Sequence, residues 1–472
     1  MTSPRLDAGS FRDRTGRVFF RHGRVYRALS ETGYENWRAL AGSRFFPQAM
    51  ADGSVVETRE VDLAAGDGLR ASDLRQLPGP WVAAVEHQRI PFVSYPYEWS
   101  FSMLRQGALL TLQLLRAALD DDLILKDASS YNVQWRGCRP TLIDVGSFEP
   151  WRAGSPWVGY LQFCQLFLYP LLLTAYRDVP FQPWLRGALD GIEPVSCRHL
   201  LRWRDRLRPG VVIDVDLMAR LQEKESAARP TRQDLQRAGF RKEIILNNVR
   251  RLERVITKLR WRRSRSEWAD YARESSYDEA ARATKIDFVR RAAAARRRRL
   301  AWDLGANTGT YSRLVAEHAD YVVALDADHL AIDRLYRQLV AEGPANVLPL
   351  VSNLADASPG LGWRLRERQP LADRGRPELI LCLALVHHLV IRHNVPLPEL
   401  VGWLAELGGE LVIEWVAKDD PMVQKLLANK DDLYADYDPA VFESCLGERY
   451  EVVARQAFHD GTRTLYHARP RS

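Results

Sequence analysis

The feature that most constrains the fold is a glycine-rich turn that directly follows an apolar run near residue 300. The run Leu300–Leu304 leads into Gly305 and Gly309 within the sequence LAWDLGANTGTYS. Glycine tolerates positive φ angles and lets a ligand approach the backbone closely, and the N-terminus of a helix offers free N–H groups. We therefore predict a strand, a ligand-binding turn and a helix that begins at about Thr310.

The residues after this turn predict a parallel sheet. A second strand, Tyr321–Leu325, ends in Asp326, whose carboxylate can accept hydrogen bonds from both hydroxyls of a ribose. Apolar runs then alternate with helical segments, which is typical of a sheet with helices on both faces; the runs are 347–351, 378–385 and 410–416. Because Ala306 and Asn307 fill the middle of the turn, the spacing departs from G-x-G-x-x-G and favours a nucleoside without a pyrophosphate over NAD.

The C-terminal motifs carry a resemblance to a known family. DLGANTGTYS, ALDAD, SNLAD and LVHHL resemble the successive motifs of class I S-adenosylmethionine-dependent methyltransferases, and more narrowly those of bacterial nodulation-type methyltransferases. The resemblance covers residues 266–472 and implies a Rossmann-like domain with S-adenosyl-L-methionine as cofactor and no metal. The cofactor-binding residues that it implies are Asp303, Gly305, Asn307, Gly309, Asp326 and Asn353.

The resemblance also suggests a role for each part of this site. Asp303 and Gly305 would lie near the methionine moiety, and Asp326 would hold the ribose. Asn353 stands where many family members place an acidic residue beside adenine, and Asp356 is a competitor for that contact.

Candidate catalytic residues follow the fourth and fifth predicted strands. The loop after the fourth strand carries His387 and His388, either of which could act as a general base or could pack structurally. Glu414, at the end of the fifth strand, and the loop residues Asp419 and Asp420 are further candidates. No particular base is required, because the sulfonium is already activated and positioning can dominate the rate.

The N-terminal half contains a second constellation. Asp127 is followed five residues later by Asn132, and a predicted strand then delivers Asp144. This spacing resembles the catalytic loop and metal-binding turn of protein-kinase-like phosphotransferases, in which Asn132 and Asp144 would hold Mg²⁺ if the site were active. The alternative interpretation is that these are turn and capping residues.

Two departures favour a degenerate kinase-like domain. Lys126 is the first lysine of the chain, and residues 1–100 contain no G-x-G-x-x-G. The predicted fold class is therefore α/β, with an α+β kinase-like region at 1–210, a basic helical connector at 211–265 and the methyltransferase domain at 266–472.

Charge is concentrated around the connector. Residues 250–299 hold 17 Lys or Arg and 7 Asp or Glu, a net of +10, whereas the whole chain of 472 residues carries +7. The run 250–265 could contact nucleic acid or an anionic substrate, or could be a solvated linker helix. Three aromatic residues just after it could close over the cofactor or pack on the sheet: Trp268, Tyr271 and Tyr277.

Location is predicted from what the chain lacks. The uncharged run 158–176 contains Pro170, Gln162 and Gln165 and is predicted to be a buried helix, so no membrane span is expected. The five cysteines are odd in number and form no C-x-x-C pair, and the first ten residues contain no apolar stretch. These features are typical of a cytoplasmic protein.

The expected function is methyl transfer from S-adenosylmethionine to an unidentified acceptor. A small molecule or carbohydrate suits the mild charge better than nucleic acid does. Two alternatives stay open, namely a bifunctional kinase-like methyltransferase and a non-catalytic scaffold that binds a nucleoside.

Overall fold

The computed structural model describes residues 3–65, 68–208, 210–224, 241–263, 265, 279–428, 431 and 433–471. The chain divides into two compact units. The first comprises Met1–Arg263 with Gly360–Arg368, and the second comprises Ser264–Pro359 with Gln369–Ser472. The segment Gly360–Arg368 joins the first unit through polar contacts, since the Arg12 guanidinium donates to Glu367 at 2.6 Å.

The first unit begins with an antiparallel sheet. Its strand order is β1-β2-β3-β5-β4, with bounds Arg5–Leu6 (β1), Gly16–Arg21 (β2), Arg24–Leu29 (β3), Thr58–Glu60 (β4) and Ala83–His87 (β5). The sequence of residues 15–30 predicts a hairpin that turns at His22-Gly23. It is confirmed, and both turn residues have positive φ, as a two-residue hairpin loop requires. The sequence RIPFVSY of residues 89–95 predicts a strand, and this prediction is wrong. The strand ends at His87 instead, and Pro91 has no N–H to contribute to a ladder.

Helices and two small hairpins complete the first unit. The α-helices are Glu31–Ala41 (α1), Phe45–Ala51 (α2), Ala71–Leu74 (α3), Phe101–Asp120 (α4), Tyr160–Phe163 (α5), Tyr169–Arg177 (α6), Gln182–Gly187 (α7), Pro194–Leu200 (α8), Met218–Lys224 (α9) and Lys242–Lys258 (α10). Strands Leu123–Leu125 (β6) and Phe148–Pro150 (β9) pair with each other, as do Val133–Arg136 (β7) and Arg139–Leu142 (β8). The 3-10 turns of this unit are Pro96–Glu98, Ser130–Asn132, Val145–Ser147, Asp205–Leu207 and Trp363–Leu365.

The uncharged run forms a buried helix, as the sequence predicts. Helix α5 continues through a π-helical segment, Cys164–Leu168, into α6, and the side chains of this segment are largely buried. No helix within the described residues combines the length and the apolar character needed to cross a bilayer.

The basic helix α10 is part of the first unit. Four apolar side chains at three- or four-residue spacing are buried, and the helix packs against α4; they are Ile245, Val249, Leu252 and Ile256. The predicted linker helix is therefore held by an apolar face, while its arginines occupy the other faces.

The second unit contains the predicted parallel sheet. Its strands are Ala301–Leu304 (β10), Val322–Asp326 (β11), Val347–Val351 (β12), Leu379–Cys382 (β13), Glu410–Val416 (β14), Tyr450–Phe458 (β15) and Arg463–Pro470 (β16). The described strands have the order β12-β11-β10-β13-β14-β16-β15, and the first five pair in parallel. That order places the strand reversal beside β10, where nucleotide-binding sheets open a crevice. The antiparallel hairpin β15–β16 has no counterpart in the sequence prediction, because β15 is an edge strand whose exposed polar residues obscure the alternation.

Helices and short turns connect these strands. The α-helices are Glu279–Ala294 (α11), Thr310–Ala316 (α12), His329–Glu342 (α13), Leu397–Leu407 (α14), Pro421–Leu427 (α15) and Pro439–Arg449 (α16). Shorter 3-10 or π-helical turns are Leu354–Asp356, Leu371–Asp373 and His388–Arg392. Helix α12 begins at the predicted residue, Thr310.

Candidate functional site

The glycine turn lies at the carboxyl ends of β10 and β11. Gly305 and Gly309 have φ angles of 79° and 76°. The N–H groups of Gly305 and Ala306 both donate to the Leu325 carbonyl, at 2.8 and 2.9 Å, which holds the turn over the neighbouring strand. A Cβ atom on Gly309 would lie 2.4 Å from the Leu335 side chain, so this position admits glycine alone without rearrangement.

Replacing Gly305 with valine is expected to abolish nucleoside binding and leave the first unit folded. A β-branched residue is strongly strained at φ 79°, so the turn has to change shape. The measurement is a binding titration, with limited proteolysis of the same sample as the test of folding. A matched control is Gly402→Val on α14, where a Cβ meets open space. A Gly305→Val protein that binds normally would remove this turn from the site.

Asp326 closes the other side of the turn. Its two carboxylate oxygens accept from the backbone N–H groups of Asn307 and Asp328, both at 2.8 Å. The side chain is half-buried, and burial raises the pKa of Asp326 to about 6. Because each oxygen retains a further lone pair, the carboxylate can still accept hydrogen bonds from a diol.

Asp303 forms a hydrogen bond to the first turn of α12. It is buried, its carboxylate accepts from the Ser312 hydroxyl at 2.5 Å, and desolvation raises its pKa to about 6. This contact fixes the start of the helix whose N-terminus faces the turn. A role beside a methionine moiety stays a prediction.

Asn353 lies at the end of β12, where the sequence predicts an adenine contact. Its side chain is exposed and accepts from the Ala355 N–H at 3.2 Å, capping a short turn. The preceding Ser352 is buried, and its hydroxyl has no hydrogen-bond partner in the described part of the chain. A buried hydroxyl without a partner is costly, which makes Ser352 a candidate that the sequence motifs did not single out.

The two histidines follow β13 in a strained loop. Ala384 has a φ angle of 51°, an uncommon value for a residue with a side chain. His387 is fully buried, and neither ring nitrogen has a hydrogen-bond partner among the residues described. Burial lowers the pKa of both rings, that of His387 well below its ordinary value and that of His388 to about 4, so both are neutral at pH 7.

Glu414 belongs to a buried chain of four alternating charges. Lys285 contacts one of its carboxylate oxygens at 2.5 Å, and Arg463 contacts the other at 3.1 Å. Arg463 also grips Asp420, with its Nε 2.7 Å from one carboxylate oxygen. All four side chains are buried. Glu414 is thus held as an ion-pair partner of two cations. A catalytic role for it stays a prediction.

The sequence analysis did not find the two cations of this chain of charges. Lys285 lies on α11 and Arg463 on β16, far from any recognised motif. Lys285 also lies 4.9 Å from the centre of the Tyr311 ring. Burial raises the pKa of Asp303, and the positive charge of Lys285 partly offsets this by lowering it. Neither cation stands in an apolar run, since Arg282 and Asp287 flank Lys285 and Asp460 precedes Arg463. The sequence therefore carries no signal that either of them is buried, and its spacing does not show which carboxylates they contact.

The three predicted residues of the first unit are brought together. The Asn132 amide donates to the Ser147 hydroxyl at 3.2 Å, and that hydroxyl donates to Asp144 at 2.6 Å. The Asp144 charge contributes to raising the pKa of Asp127, although burial is the larger cause. Arg27, on β3, contacts Asp144 at 2.5 Å and is itself buried.

Arg27 therefore occupies one face of the predicted cation site. Its guanidinium neutralises Asp144 and lowers the pKa of that carboxyl despite burial. Within the described residues, no group of three or more His, Cys, Asp or Glu is arranged to hold a metal ion. The aromatic residues predicted to close over the cofactor, Trp268, Tyr271 and Tyr277, lie outside the described residues.

Comparison with known proteins shows the family of the chain. No family model matches the sequence. The chain is 34% identical over 465 residues to nodulation protein NoeA of Rhizobium meliloti (strain 1021), an alignment that covers 97% of this chain and 95% of NoeA. The chain therefore belongs to the NoeA family of nodulation proteins.

Solved structures resemble part of the chain. The N-methyltransferase NodS from Bradyrhizobium japonicum WM9, in complex with S-adenosyl-L-homocysteine, is 13% identical, with a TM-score of 0.31, over 43% of this chain and 98% of NodS. Magnesium protoporphyrin IX methyltransferase from Synechocystis PCC 6803, with bound S-adenosyl-L-homocysteine, is 16% identical, with a TM-score of 0.29, over 40% of this chain and 84% of that enzyme. The kinase-like assignment of residues 1–210 stays a prediction.

Proposed function

We propose that the second unit binds S-adenosylmethionine at the carboxyl ends of β10, β11 and β12 and transfers its methyl group to an acceptor. The observation that carries the proposal is the Asp326 carboxylate, held by two backbone N–H groups beside a turn with two left-handed glycines. The cofactor supplies a methyl group on an activated sulfonium, so the protein needs chiefly to bind and orient both partners.

The residues of the turn fit a nucleoside. Asp326 offers lone pairs for the ribose diol, and the unpartnered hydroxyl of Ser352 lies at the end of the next strand. The bare backbone of Gly305 and the first turn of α12 leave room for the remainder of the cofactor. The Asn353 side-chain oxygen accepts from the Ala355 N–H and so caps its own turn. An adenine contact there would use the side-chain NH2 group or the second lone pair of that oxygen.

His387 is the residue best suited to meet the acceptor. Lys285 and Arg463 already pair with Glu414, whereas both ring nitrogens of His387 lack partners among the described side chains. A neutral imidazole can accept the hydrogen bond of an amine or hydroxyl and fix its lone pair toward the methyl group. The lowered pKa of His387 favours this orienting role over strong proton abstraction.

Replacing His387 with glutamine is expected to slow methyl transfer by about a hundredfold, the scale of a misplaced reacting group. Cofactor affinity is expected to stay within about twofold, because His387 follows a different strand from Asp326. The assay is release of S-adenosylhomocysteine with a deproteinised bacterial extract as the acceptor source.

Two controls sharpen this test. His393→Gln changes an exposed histidine a few residues further along the same loop and is expected to leave the rate unchanged. Nuclease treatment of the extract is expected to leave the activity intact, since a small molecule or carbohydrate is the proposed acceptor. Loss of cofactor binding in His387→Gln would mean that this histidine shapes the nucleoside site instead.

The first unit is proposed to be a degenerate kinase-like domain. Its support is the contact of Asn132 with the Asp127 carbonyl and, through Ser147, with Asp144. The buried Arg27 neutralises Asp144. An arginine fork occupied by two carboxylates, Asp13 and Asp144, is a poor substitute for a lysine that grips phosphates.

The full-length protein is therefore expected to show no ATP turnover above background, with or without Mg²⁺. The measurement is release of labelled phosphate from the γ-position of ATP in the presence of the same extract. Asp144→Ala is expected to leave methyl transfer unchanged if the protein stays folded. Mg²⁺-dependent phosphoryl transfer that disappears in Asp127→Ala would instead establish the bifunctional alternative.

A further inference from the structure

The segment that follows α8 exposes an unusual amount of apolar surface. Ile213, Leu217 and Leu221 are 48, 50 and 42% exposed. They are four residues apart along a continuous helical stretch, in which the π-helical segment Val212–Leu217 leads directly into α9. They therefore lie on one face of that stretch. We call these three side chains the apolar stripe.

The opposite face of the same stretch is already in the core. Val211, Asp214, Val215 and Ala219 are fully buried. A helix that is apolar on both faces is normally covered on both. The preceding 3-10 turn, Asp205–Leu207, packs against Val212–Leu217. Two further apolar side chains are exposed there: Leu207 on the turn is 73% exposed, and Trp203 just before it is 67% exposed.

Arginines surround this surface. Arg202, Arg204, Arg208 and Arg220 are exposed, whereas the acidic Asp205 and Asp214 are buried. Residues 198–224 contain seven Lys or Arg against four Asp or Glu, a net of +3. The Arg204 guanidinium lies 5.1 Å from the centre of the Trp203 ring, which places a cation beside the largest apolar side chain.

A second basic element, α10, is bound to the buried face of this segment, opposite the apolar stripe. Arg251 of α10 forms two hydrogen bonds to the carboxylate of Asp214, at 2.7 and 2.5 Å. The Tyr160 hydroxyl donates to the same carboxylate at 2.5 Å, so the buried Asp214 carboxylate accepts hydrogen bonds on both of its oxygens. Residues 242–258 hold five Lys or Arg against two Asp or Glu, another net of +3, in a chain whose total is +7. Both helical segments therefore carry a positive net charge.

We propose that this face docks on an anionic membrane surface, with the apolar stripe and Trp203 entering the headgroup region and the arginines contacting lipid phosphates. An amphipathic helix with a Lys- and Arg-rich polar face, aliphatic side chains and a tryptophan has the chemistry for binding in the interface. The apolar stripe is convex, because it lies on the outer face of a helix. A convex apolar surface can insert into a fluid lipid interface, which deforms around it. Nucleic acid would use the arginines and leave the aliphatic side chains without a role.

The test is co-sedimentation of the full-length protein with vesicles of 70% phosphatidylcholine and 30% phosphatidylglycerol, against vesicles of pure phosphatidylcholine. Binding is expected to be at least tenfold tighter to the anionic vesicles and to weaken at least tenfold between 0.1 and 0.5 M NaCl. The double variant Ile213→Asp/Leu217→Asp and the double variant Arg202→Glu/Arg220→Glu are each expected to lose at least tenfold in affinity. Val340→Asp, an equally exposed valine on α13, is the matched control and should bind as the wild type does.

Three results would overturn the proposal. One is wild-type protein that fails to sediment with anionic vesicles. Another is a stripe variant that binds them as well as the wild type, which would reduce the interaction to charge. The third is a stripe variant that changes the oligomeric state or lowers the unfolding temperature, because the apolar stripe would then be covered by protein. A gel-shift series with duplex DNA and tRNA checks the remaining class of partner, and binding there that the stripe variant retains would also count against a membrane.

Discussion

Asp326→Ala is expected to weaken binding of S-adenosylmethionine by roughly 1.5–3 kcal/mol, or about tenfold to a hundredfold, the scale for hydrogen bonds to a charged group. The carboxylate in the wild-type protein is held by the N–H groups of Asn307 and Asp328, so its lone pairs are already aimed before the ligand arrives. Isothermal titration calorimetry measures the loss. Asp320→Ala is the matched control, because this exposed aspartate lies just before the start of the same strand, at the opposite end of β11 from Asp326.

The pH dependence of the same titration is a second part of this prediction. The pKa of Asp326 is raised to about 6 from an ordinary value of 3.8. The carboxylate accepts hydrogen bonds best when ionised, so affinity should fall as the pH drops through 6, by up to tenfold per pH unit for one proton. The sign for stability is opposite. The protonated form is favoured in the folded protein, and its stabilising contribution is full below pH 3.8 and lost as the pH rises through 6. Unchanged affinity between pH 7.5 and pH 5 would remove Asp326 from the cofactor site.

Arg463→Met is expected to destabilise the second unit by about 3–5 kcal/mol, because it leaves two buried carboxylates without their shared cation. Glu414 and Asp420 both contact Arg463 at 3.1 Å or less, and all three side chains are fully buried. Domains are stable by only about 5–15 kcal/mol, so this loss is expected to unfold a measurable fraction of the protein. The measurement is urea unfolding followed by tryptophan fluorescence.

Arg469→Met is the control for that variant. Arg469 lies on the same strand, β16, and its side chain is 55% exposed beside Glu410. An exposed ion pair contributes little, so this replacement is expected to lower the free energy of unfolding by less than about 1 kcal/mol. Equal effects from the two variants would show that the buried chain of charges is worth no more than a surface pair.

The sequence predicts the centre of the second unit well because its signals are local. A strand that ends in Asp326 and a turn that contains Gly305 and Gly309 are each read within a dozen residues. The five parallel strands are recognised as continuous apolar runs, because strands of a parallel sheet are covered on both faces. The hairpin formed by β15 and β16 lacks that pattern, since one strand is at the edge and mostly exposed.

The buried charges could not be predicted in the same way. Lys285 and Glu414 are 129 positions apart in sequence, and neither stands in a recognisable pattern with the other. Arg27 presents the same difficulty in the first unit, since its contact with Asp144 joins the middle of β3 to a residue that follows β8, 117 positions further along the chain. Long-range ion pairs depend on topology, whereas spacing arguments see only neighbours along the chain.

The central claim is that the second unit holds S-adenosylmethionine through Asp326 and the glycine turn. The most direct test is calorimetric titration of the full-length protein with S-adenosylhomocysteine and, separately, with NAD, each repeated on Asp326→Ala and Gly305→Val. The account predicts one S-adenosylhomocysteine bound per chain by the wild type, no measurable binding of NAD, a loss of tenfold or more in Asp326→Ala, and no binding in Gly305→Val. A wild-type protein that binds neither ligand, or that binds S-adenosylhomocysteine equally in all three forms, would contradict it.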